Sequence, residues 1–207
     1  MRVVDLLEYE RAWWARSFLK VAGVDEAGRG CLAGPVVAAA VIFSPKVLIP
    51  GVNDSKKLSP KNRDALYPLI ISNAMSYGVG IVEPQEIDKI NILQASRKAM
   101  LLAIKALNPF PDVVLVDGRD ALDLQCPQQP IIDGDALSHC IAAASIIAKV
   151  TRDRMMHALQ QEFPNFGFAN HKGYGTKAHL DEINRFGPTP IHRRSFKGVV
   201  NGGQKIS

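Results

Sequence analysis

Four acidic residues follow apolar segments that have the composition of buried strands. Asp25 and Glu26 lie between VAGV and AGRG, Asp117 ends the run VVLVD before a glycine, and Asp135 follows QPIIDG. Ligands of open α/β sheets commonly bind at the carboxyl ends of strands, so these carboxylates could meet in one crevice. An aspartate that precedes a glycine is also ordinary turn chemistry, and that interpretation stays open for each of them taken alone.

Four carboxylates in one crevice would require positive charge. Packed like charges are unstable unless they share protons or bind cations. Oxygen ligands favour Mg²⁺ or Mn²⁺ over Zn²⁺, and two such ions roughly 3.5–4 Å apart can bind a phosphodiester, one activating water and the other stabilising the leaving oxygen. The pattern therefore predicts metal-dependent phosphate chemistry at Asp25, Glu26, Asp117 and Asp135.

The same segment also fits a dinucleotide-binding fingerprint. Gly28, Gly30 and Ala33 satisfy G-x-G-x-x-G/A after a strand. A helix should begin there, whereas Gly34-Pro35 leads into the strand-like run VVAAAVIF, and two adjacent carboxylates would repel a pyrophosphate. This interpretation is the weaker of the two.

Positive and aromatic residues occur in patterns that suit nucleic acid. Lys56 and Lys57 precede a predicted helix start, where lysines and backbone N–H groups could bind phosphate together, although a solvated turn is the alternative. His171, Lys172 and Lys177 surround Tyr174 in the glycine-rich segment HKGYGTK, which favours contact between the ring and nucleic acid over core packing.

A second basic segment lies near the end of the chain. His192, Arg193 and Arg194 are three further potential phosphate ligands, although Arg194 could equally pair with an acid of the fold. The five histidines show no HxH or HxxxH spacing, which argues against a histidine metal site.

Length and composition indicate one folded domain. The chain has 207 residues, of which 47% are hydrophobic and 22% charged, as in ordinary globular proteins. The net charge of +5 is compatible with a polyanionic partner or with solubility alone. Three cysteines without CxxC spacing, and no signal-peptide or membrane-spanning pattern, predict a cytoplasmic protein with no membrane association. We expect a monomer.

Strands and helices alternate along the chain, which predicts an α/β fold with a mixed sheet flanked by helices and a C-terminal helical segment. Residues 1–19 should contain an amphipathic helix, and the first two strands should form a hairpin through Gly28–Gly34. Ser59-Pro60 and Thr176 are predicted helix starts, and Gly187 a helix end. The predicted strands cover residues 20–25, 35–43, 76–83, 112–118 and the approach to Asp135. The predicted helices cover 60–72, 92–107, 137–163 and 177–186, and a further short helix begins at Pro84 with the pattern Ile87, Ile90 and Leu93.

Seven ordered motifs make the chain recognisable. GVDEAGRG, NDSKKLS, EIDKINIL, LVDGR, AAASIIAKVTRDR, HKGYGT and HRRSF resemble bacterial ribonuclease HII, and the match runs from about residue 20 to 197. The resemblance implies a ribonuclease H-like fold in a single catalytic domain, 1–207, with a substrate-binding segment at 176–197 and a loose tail at 198–207. It implies an endonuclease that cuts RNA in RNA–DNA hybrids and at ribonucleotides embedded in duplex DNA, with Mg²⁺ or Mn²⁺ as cofactor.

The resemblance also implies roles for particular residues. The four catalytic, metal-binding acids fall on Asp25, Glu26, Asp117 and Asp135. Backbone groups of Gly28, Arg29 and Gly30 would contact the ribose 2′-hydroxyl, the mark that separates RNA from DNA. Tyr174 would stack on the sugar of the following deoxynucleotide. Other residues expected near the substrate are Asp54, Ser55, Lys56, His171, Lys172, Arg193 and Arg194.

The fourth acid departs from the family pattern. Family members often have lysine in a KGD motif, whereas this chain has Asp133-Gly134-Asp135, so Asp133 is an alternative ligand. Asp153 in TRDR is another candidate, but the flanking Arg152 and Arg154 favour an ordinary ion pair on the helix surface.

Overall fold

A computed structural model describes residues 5–199 of the chain. These residues contain five strands, six α-helices and a short 3₁₀ turn at Gly134–Ala136. The strands are β1 Val21–Ala27, β2 Val36–Ile42, β3 Ser76–Val82, β4 Val113–Asp117 and β5 Gln128–Ile131. The helices are α1 Glu8–Trp14, α2 Pro60–Asn73, α3 Pro84–Lys105, α4 His139–Glu162, α5 Phe168–His171 and α6 Lys177–Phe186.

The strands form one mixed sheet in the order β3-β2-β1-β4-β5. The β1–β2 and β2–β3 pairs are antiparallel, whereas β1–β4 and β4–β5 are parallel. Helix α3 packs on one face of the sheet and α4 on the other, and each face has its own apolar core. The predicted α/β class, mixed sheet and flanking helices are confirmed.

The central strand is in unusually close contact with α4. Gly23 of β1 faces this helix, and a Cβ atom at that position would overlap the backbone of Cys140 and Ile141. Side chains alternate between the faces of a strand, so Asp25 shares the α4 face with Gly23, whereas Glu26 points to the other face. The approach of the helix therefore explains why Asp25 is only 4% exposed.

Most predicted boundaries are confirmed within one to three residues. The Ser59 and Thr176 side chains accept hydrogen bonds from Asn62 N and His179 N, and Gly187 ends α6 with a φ of 75°. Asn91 has non-helical angles and divides α3 where two helices were predicted to meet.

The two ends of the chain differ from the predictions. Helix α1 covers only part of the predicted residues 1–19, of which residues 1–4 lie outside the described residues. Most of the predicted loose tail, 198–207, also lies outside them; Val199, however, is buried in a core that includes Phe166 and Phe168, contrary to that prediction. Within residues 5–199, none of the helices combines the length and apolar character needed to cross a bilayer.

Candidate active site

The parallel strand pairs bring the predicted acids together. Val24 of β1 pairs with Val116 of β4, so the next residues, Asp25 and Asp117, lie side by side where the pairing of these two strands ends. Ile131 of β5 pairs with Asp117, and the chain then turns so that Gly134 N donates to Asp117 Oδ1 at 2.8 Å. This turn places Asp135 beside Asp117. Asp25, Glu26 and Asp117 line one cavity of about 300 Å³.

Burial and mutual repulsion make this a strained set of charges. Burial, followed by the charges of Glu26 and Asp117, raises the pKa of Asp25 well above its usual range. Burial also raises the pKa of Glu26 against the opposing charge of Arg29, and burial together with Asp135 raises the pKa of Asp117. Removing water without supplying a strong counter-charge costs free energy, so the site favours a bound cation.

Two cations of the protein lie against these carboxylates. Lys56 Nζ is 2.9 Å from Asp135 Oδ2, and Arg29 Nη1 is 3.5 Å from Glu26 Oε1. Although partial burial opposes it, the hydrogen bond to Asp135 and the charge of that carboxylate raise the pKa of Lys56. Among the described residues, no three histidine, cysteine, aspartate or glutamate side chains are already arranged about one ion position.

The turn before α2 orients Lys56. Asp54 Oδ1 accepts a hydrogen bond from Lys56 N at 2.9 Å, and Ser55 Oγ lies 2.6 Å from Ser145 Oγ of α4. Both Asp54 and Ser55 are buried. Of the three residues predicted near the substrate here, Lys56 alone has an exposed side chain, and the other two fix the turn that presents it.

The connection between β1 and β2 has one crowded glycine and one open glycine. Gly28 has a φ of 94°, and a Cβ atom there would overlap the Arg152 side chain. At Gly30 an added Cβ would have no atom within 4 Å. Packing and backbone geometry therefore explain Gly28, whereas the protein's own packing leaves room for a side chain at Gly30.

Two buried arginines hold this connection in place. Arg152 of α4 donates to the carbonyl oxygens of Ala33, Pro35 and Lys172 at 2.9–3.0 Å. Arg193 donates to the carbonyls of Arg29 and Gly34, both at 3.0 Å. Both side chains are fully buried.

The sequence did not indicate the structural role of Arg152, and it predicted a different position for Arg193. Arg193 was predicted to contact the substrate, but its guanidinium points into the protein, because the buried carbonyls of the β1–β2 connection need its donors. Arg152 was read as a surface residue beside Asp153. The available signal was its position in AAASIIAKVTRDR, a helix rich in small and apolar residues.

Tyr174 lies at the edge of the same cavity. Tyr174 is 41% exposed. Lys149 Nζ lies 5.7 Å and Arg152 Cζ 6.0 Å from the centroid of its ring. The backbone of Tyr174 bridges to Cys31 next to the open Gly30. An aromatic ring with nearby positive charge therefore faces the space beside the acids.

His171 differs from its predicted place at the substrate. It is 9% exposed, and its Nε2 lies 2.9 Å from Glu182 Oε2 beneath residues 172–176, the Tyr174 loop that joins α5 to α6. Lys172 contributes its ammonium group to a second cavity, of about 720 Å³, together with Arg63, Lys149, Arg154 and His157. Lys149, which the sequence interpretation did not single out, lines both cavities.

The alternative acids lie outside the carboxylate cluster. Asp133 is exposed in a left-handed turn with a φ of 55°, whereas Asp135 is buried and its backbone N lies 3.4 Å from Asp117 Oδ1. Asp153 pairs with Lys149 at 2.6 Å, one helical turn away, and not with the flanking arginines. Arg194 is exposed, and its backbone N donates to Asp88 Oδ2.

Sequence comparison gives a consistent family assignment. The family model for Ribonuclease HII matches residues 22–199. Among similar proteins, Ribonuclease HII of Geobacillus kaustophilus is 52% identical over 195 residues, covering 94% of this chain and 75% of the relative. Ribonuclease HII of Pelobacter propionicus is 53% identical over 196 residues, covering 95% of this chain and 90% of the relative.

Solved structures show the same fold. Ribonuclease H2 from Pyrococcus horikoshii superimposes with a TM-score of 0.74 at 32% identity, covering 87% of this chain and 95% of that one. RNase HII of Archaeoglobus fulgidus, solved in complex with PCNA, gives 0.72 at 29% identity, covering 86% and 96%. Bst-RNase HIII, solved in complex with Mn²⁺, gives 0.66 at 17% identity, covering 88% and 68%, which supports the fold alone.

Proposed function

The chain belongs to the ribonuclease HII family, and from this we propose that it cuts the RNA strand of RNA–DNA hybrids and nicks 5′ to ribonucleotides embedded in duplex DNA. The family assignment makes it a ribonuclease H-type hydrolase. The observation that supports the finer proposal is the meeting of four carboxylates, from the ends of β1 and β4 and the turn after β5, beside an open glycine loop.

The donor set fits a pair of hard divalent cations. Asp25, Glu26, Asp117 and Asp135 offer only oxygen ligands, and burial with mutual repulsion raises the pKa of the first three. We propose that these four residues hold two Mg²⁺ or Mn²⁺ ions in the active complex. When bound there, such ions would supply Lewis acidity for attack by water and for departure of the leaving oxygen, and the expected products carry 3′-hydroxyl and 5′-phosphate ends.

Lys56 and Arg29 supply mobile positive charge at the same site. Their side chains are 76% and 55% exposed, so each can leave its carboxylate and turn toward a phosphate as cations enter. We propose that Lys56 neutralises the phosphate beside the cleaved bond, because Asp54 and Ser55 fix the turn from which its side chain reaches the cavity.

The open position at Gly30 supports recognition of the ribose by the protein backbone. A bare backbone can approach a 2′-hydroxyl closely, and a Cβ at Gly30 would project into space that the protein itself leaves unfilled. We therefore expect Gly30→Ala to keep the free energy of unfolding within about 1 kcal/mol and to lower kcat/KM at an embedded ribonucleotide at least tenfold, roughly.

Gly28→Ala is the matched control for Gly30→Ala. Because its Cβ would overlap Arg152 and its φ is 94°, this variant should lose stability as well as activity. Urea unfolding and steady-state cleavage of the two variants measure both quantities. Normal cleavage by a folded Gly30→Ala variant would contradict close backbone recognition.

We propose that Tyr174 stacks on the sugar of the deoxynucleotide that follows the ribonucleotide. Its exposed ring beside the cavity supports this role. Tyr174→Ala should lower kcat/KM at a single embedded ribonucleotide by on the order of tenfold, because stacking on an aromatic ring contributes about 1–3 kcal/mol. Tyr174→Phe keeps the ring and should retain most activity. A loss of activity in Tyr174→Ala no larger than its loss of thermal stability would instead indicate packing.

The second cavity supports contact with a longer stretch of duplex. Arg63, Lys149, Arg154 and Lys172 outnumber Asp64 and Asp153 there, and Lys149 makes the surface continuous with the carboxylate cavity. Excess positive charge next to the cleavage site is the arrangement expected for binding a phosphate backbone.

We propose RNA–DNA hybrids and ribonucleotide-containing DNA duplexes as the partners of this surface. We also propose that the protein acts as a monomer in the cytoplasm, a reducing compartment that suits its three free cysteines.

A cleavage assay tests the proposed function. A duplex with one ribonucleotide, labelled at its 5′ end, should be nicked on the 5′ side of that nucleotide with Mn²⁺ or Mg²⁺ and stay intact with chelator. A 2′,3′-cyclic phosphate end would contradict water attack. Tight binding without any cleavage across divalent metals would favour the second candidate, a hybrid-binding protein without catalysis.

A further inference from the structure

Three histidine rings form a buried cluster directly beneath the Tyr174 loop. His171 of α5, His179 of α6 and His192 are 9%, 0% and 2% exposed. The His171 and His179 rings stack with centroids 4.1 Å apart, and His192 lies 5.1 Å from His179. The rings of Phe166 and Phe168 pack around them.

A hydrogen bond connects the His179 and His192 rings, and the partners of the ring nitrogens assign one tautomer to each of the three histidines. Thr189 N donates to His192 Nδ1 at 2.9 Å, so His192 Nε2 carries the proton and donates to His179 Nε2 at 3.0 Å. His179 Nδ1 then donates to the carbonyl oxygen of Tyr174 at 2.9 Å. Gly173 N donates to His171 Nδ1 at 3.1 Å, which leaves His171 Nε2 to donate to Glu182.

This pattern requires the imidazoles of His179 and His192 to be neutral. A second proton on either ring would bring two donors face to face, at Thr189 N or between the two rings. Burial, with smaller effects of neighbouring charges, lowers the pKa of His192 to about 4 and lowers the pKa of His179. Because every ring nitrogen already has a partner, the cluster has no free ligand for a metal ion.

The cluster fixes the backbone of Tyr174 from both sides. His171 O accepts from Tyr174 N at 2.8 Å, and His171 Nδ1 accepts from Gly173 N. On the other side, His179 Nδ1 donates to the Tyr174 carbonyl. The ring of Tyr174 faces the carboxylate cavity, whereas each of these anchors lies inside the protein.

We propose that His171, His179 and His192 are positioning residues that orient Tyr174 for cleavage at an embedded ribonucleotide without touching the substrate. The inference rests on the proposed role of Tyr174 and extends it. Residues that do not touch the substrate can determine the rate by orienting one that does. A substrate-binding group that is misplaced by about 1 Å can lower the rate by on the order of 10²-fold. Selectivity for the junction between ribonucleotide and deoxynucleotide then depends on a buried network.

Two substitutions of His179 test the positioning role most directly. His179→Leu removes the bond to the Tyr174 carbonyl, whereas the amide of His179→Asn can still donate to it. His179→Leu should lower kcat/KM at a single embedded ribonucleotide by about tenfold and His179→Asn by less than about threefold. In a Tyr174→Ala background, His179→Leu should change activity less than about twofold, because the group that it positions is already absent.

A packing variant separates positioning from general loss of stability. Phe163→Leu loosens the same core through Phe168 and makes none of these hydrogen bonds. His179→Leu should lower the ratio of activity at a single ribonucleotide to activity on a continuous RNA strand, whereas Phe163→Leu, at equal loss of thermal stability, should keep that ratio. Additive effects of His179→Leu and Tyr174→Ala, or the same change of ratio in Phe163→Leu, would overturn the proposal.

Hydrogen exchange distinguishes failure of this inference from failure of the proposed function. Exchange of the Gly173 and Tyr174 amides should be about tenfold faster in His179→Leu and unchanged in His179→Asn. Faster exchange with normal cleavage would overturn the inference, because the order of the Tyr174 backbone would then not affect the rate; normal cleavage by Tyr174→Ala would instead contradict the proposed function of Tyr174. Unchanged exchange would overturn the positioning role. If His179→Leu does not fold, His192→Leu, which removes the donor to His179 Nε2, should show the same faster exchange and the same loss of activity.

Discussion

Replacing Asp25 by asparagine is expected to reduce cleavage by at least about 10³-fold, because it removes a charge that the bound cations require. Asp25 is the most deeply buried of the carboxylates at the end of β1, and its repulsion with Glu26 and Asp117 is what a divalent cation would relieve. The amide oxygen of asparagine can still accept the bond from Glu26 N that Asp25 Oδ1 accepts at 2.7 Å. Metal-free Asp25→Asn protein should therefore be at least as stable as the parent.

Three measurements on this variant separate catalysis from binding and folding. Cleavage should be lost, affinity for an uncleaved hybrid should stay within about threefold, and the urea midpoint should not fall. Asp123→Asn makes the same charge change at an exposed residue and should behave like the parent in all three. Asp25→Asn that cleaves at the parental rate would contradict the assignment of the metal ligands.

Replacing Arg152 by methionine is expected to lower the free energy of unfolding by on the order of 3 kcal/mol or more. The change leaves the carbonyls of Ala33, Pro35 and Lys172 without a donor in the interior, and each buried unsatisfied group costs about 1–3 kcal/mol. The melting temperature should fall by roughly 6–12 °C, and activity should fall with it, since these carbonyls belong to the two segments that form the cavity wall.

Two further substitutions check the reason for this loss. Arg154→Met, on the same helix but with a side chain that is 56% exposed, should change stability by less than about 0.5 kcal/mol. Arg152→Lys should not restore the parental stability, because one ammonium group lacks the planar fork that reaches three carbonyls. Equal stability of Arg152→Met and the parent protein would contradict the role of this arginine.

Residue patterns predict those parts of the molecule that depend on local chemistry. Alternation and glycine spacing indicated the β1–β2 hairpin, and Ser59 and Thr176 indicated helix starts through their side-chain acceptors. The strand-end positions of Asp25 and Asp117 were evident because parallel strands align their carboxyl ends. These features depend only on residues that are close in sequence or on the regular geometry of a sheet.

The parts that could not be predicted depend on contacts between distant segments. Arg193 donates to the carbonyl of Arg29 across 164 residues, and Arg152 to that of Ala33 across 119. An arginine in a sequence predicts a surface position, because burying its charge costs free energy. Here acceptors from distant segments offset that cost, and the sequence does not show them. The pairing of Asp153 with Lys149 follows helix geometry, in which residues four apart are neighbours and adjacent residues are not.

The most direct test of the carboxylate cluster is anomalous diffraction from crystals soaked with Mn²⁺ and carrying a slowly cleaved ribonucleotide duplex. We expect two manganese peaks roughly 3.5–4 Å apart, coordinated by oxygens of Asp25, Glu26, Asp117 and Asp135 and facing the phosphate 5′ of the ribonucleotide. Saturating Mn²⁺ with no peak within bonding distance of Asp25, Glu26 or Asp117 would contradict the account.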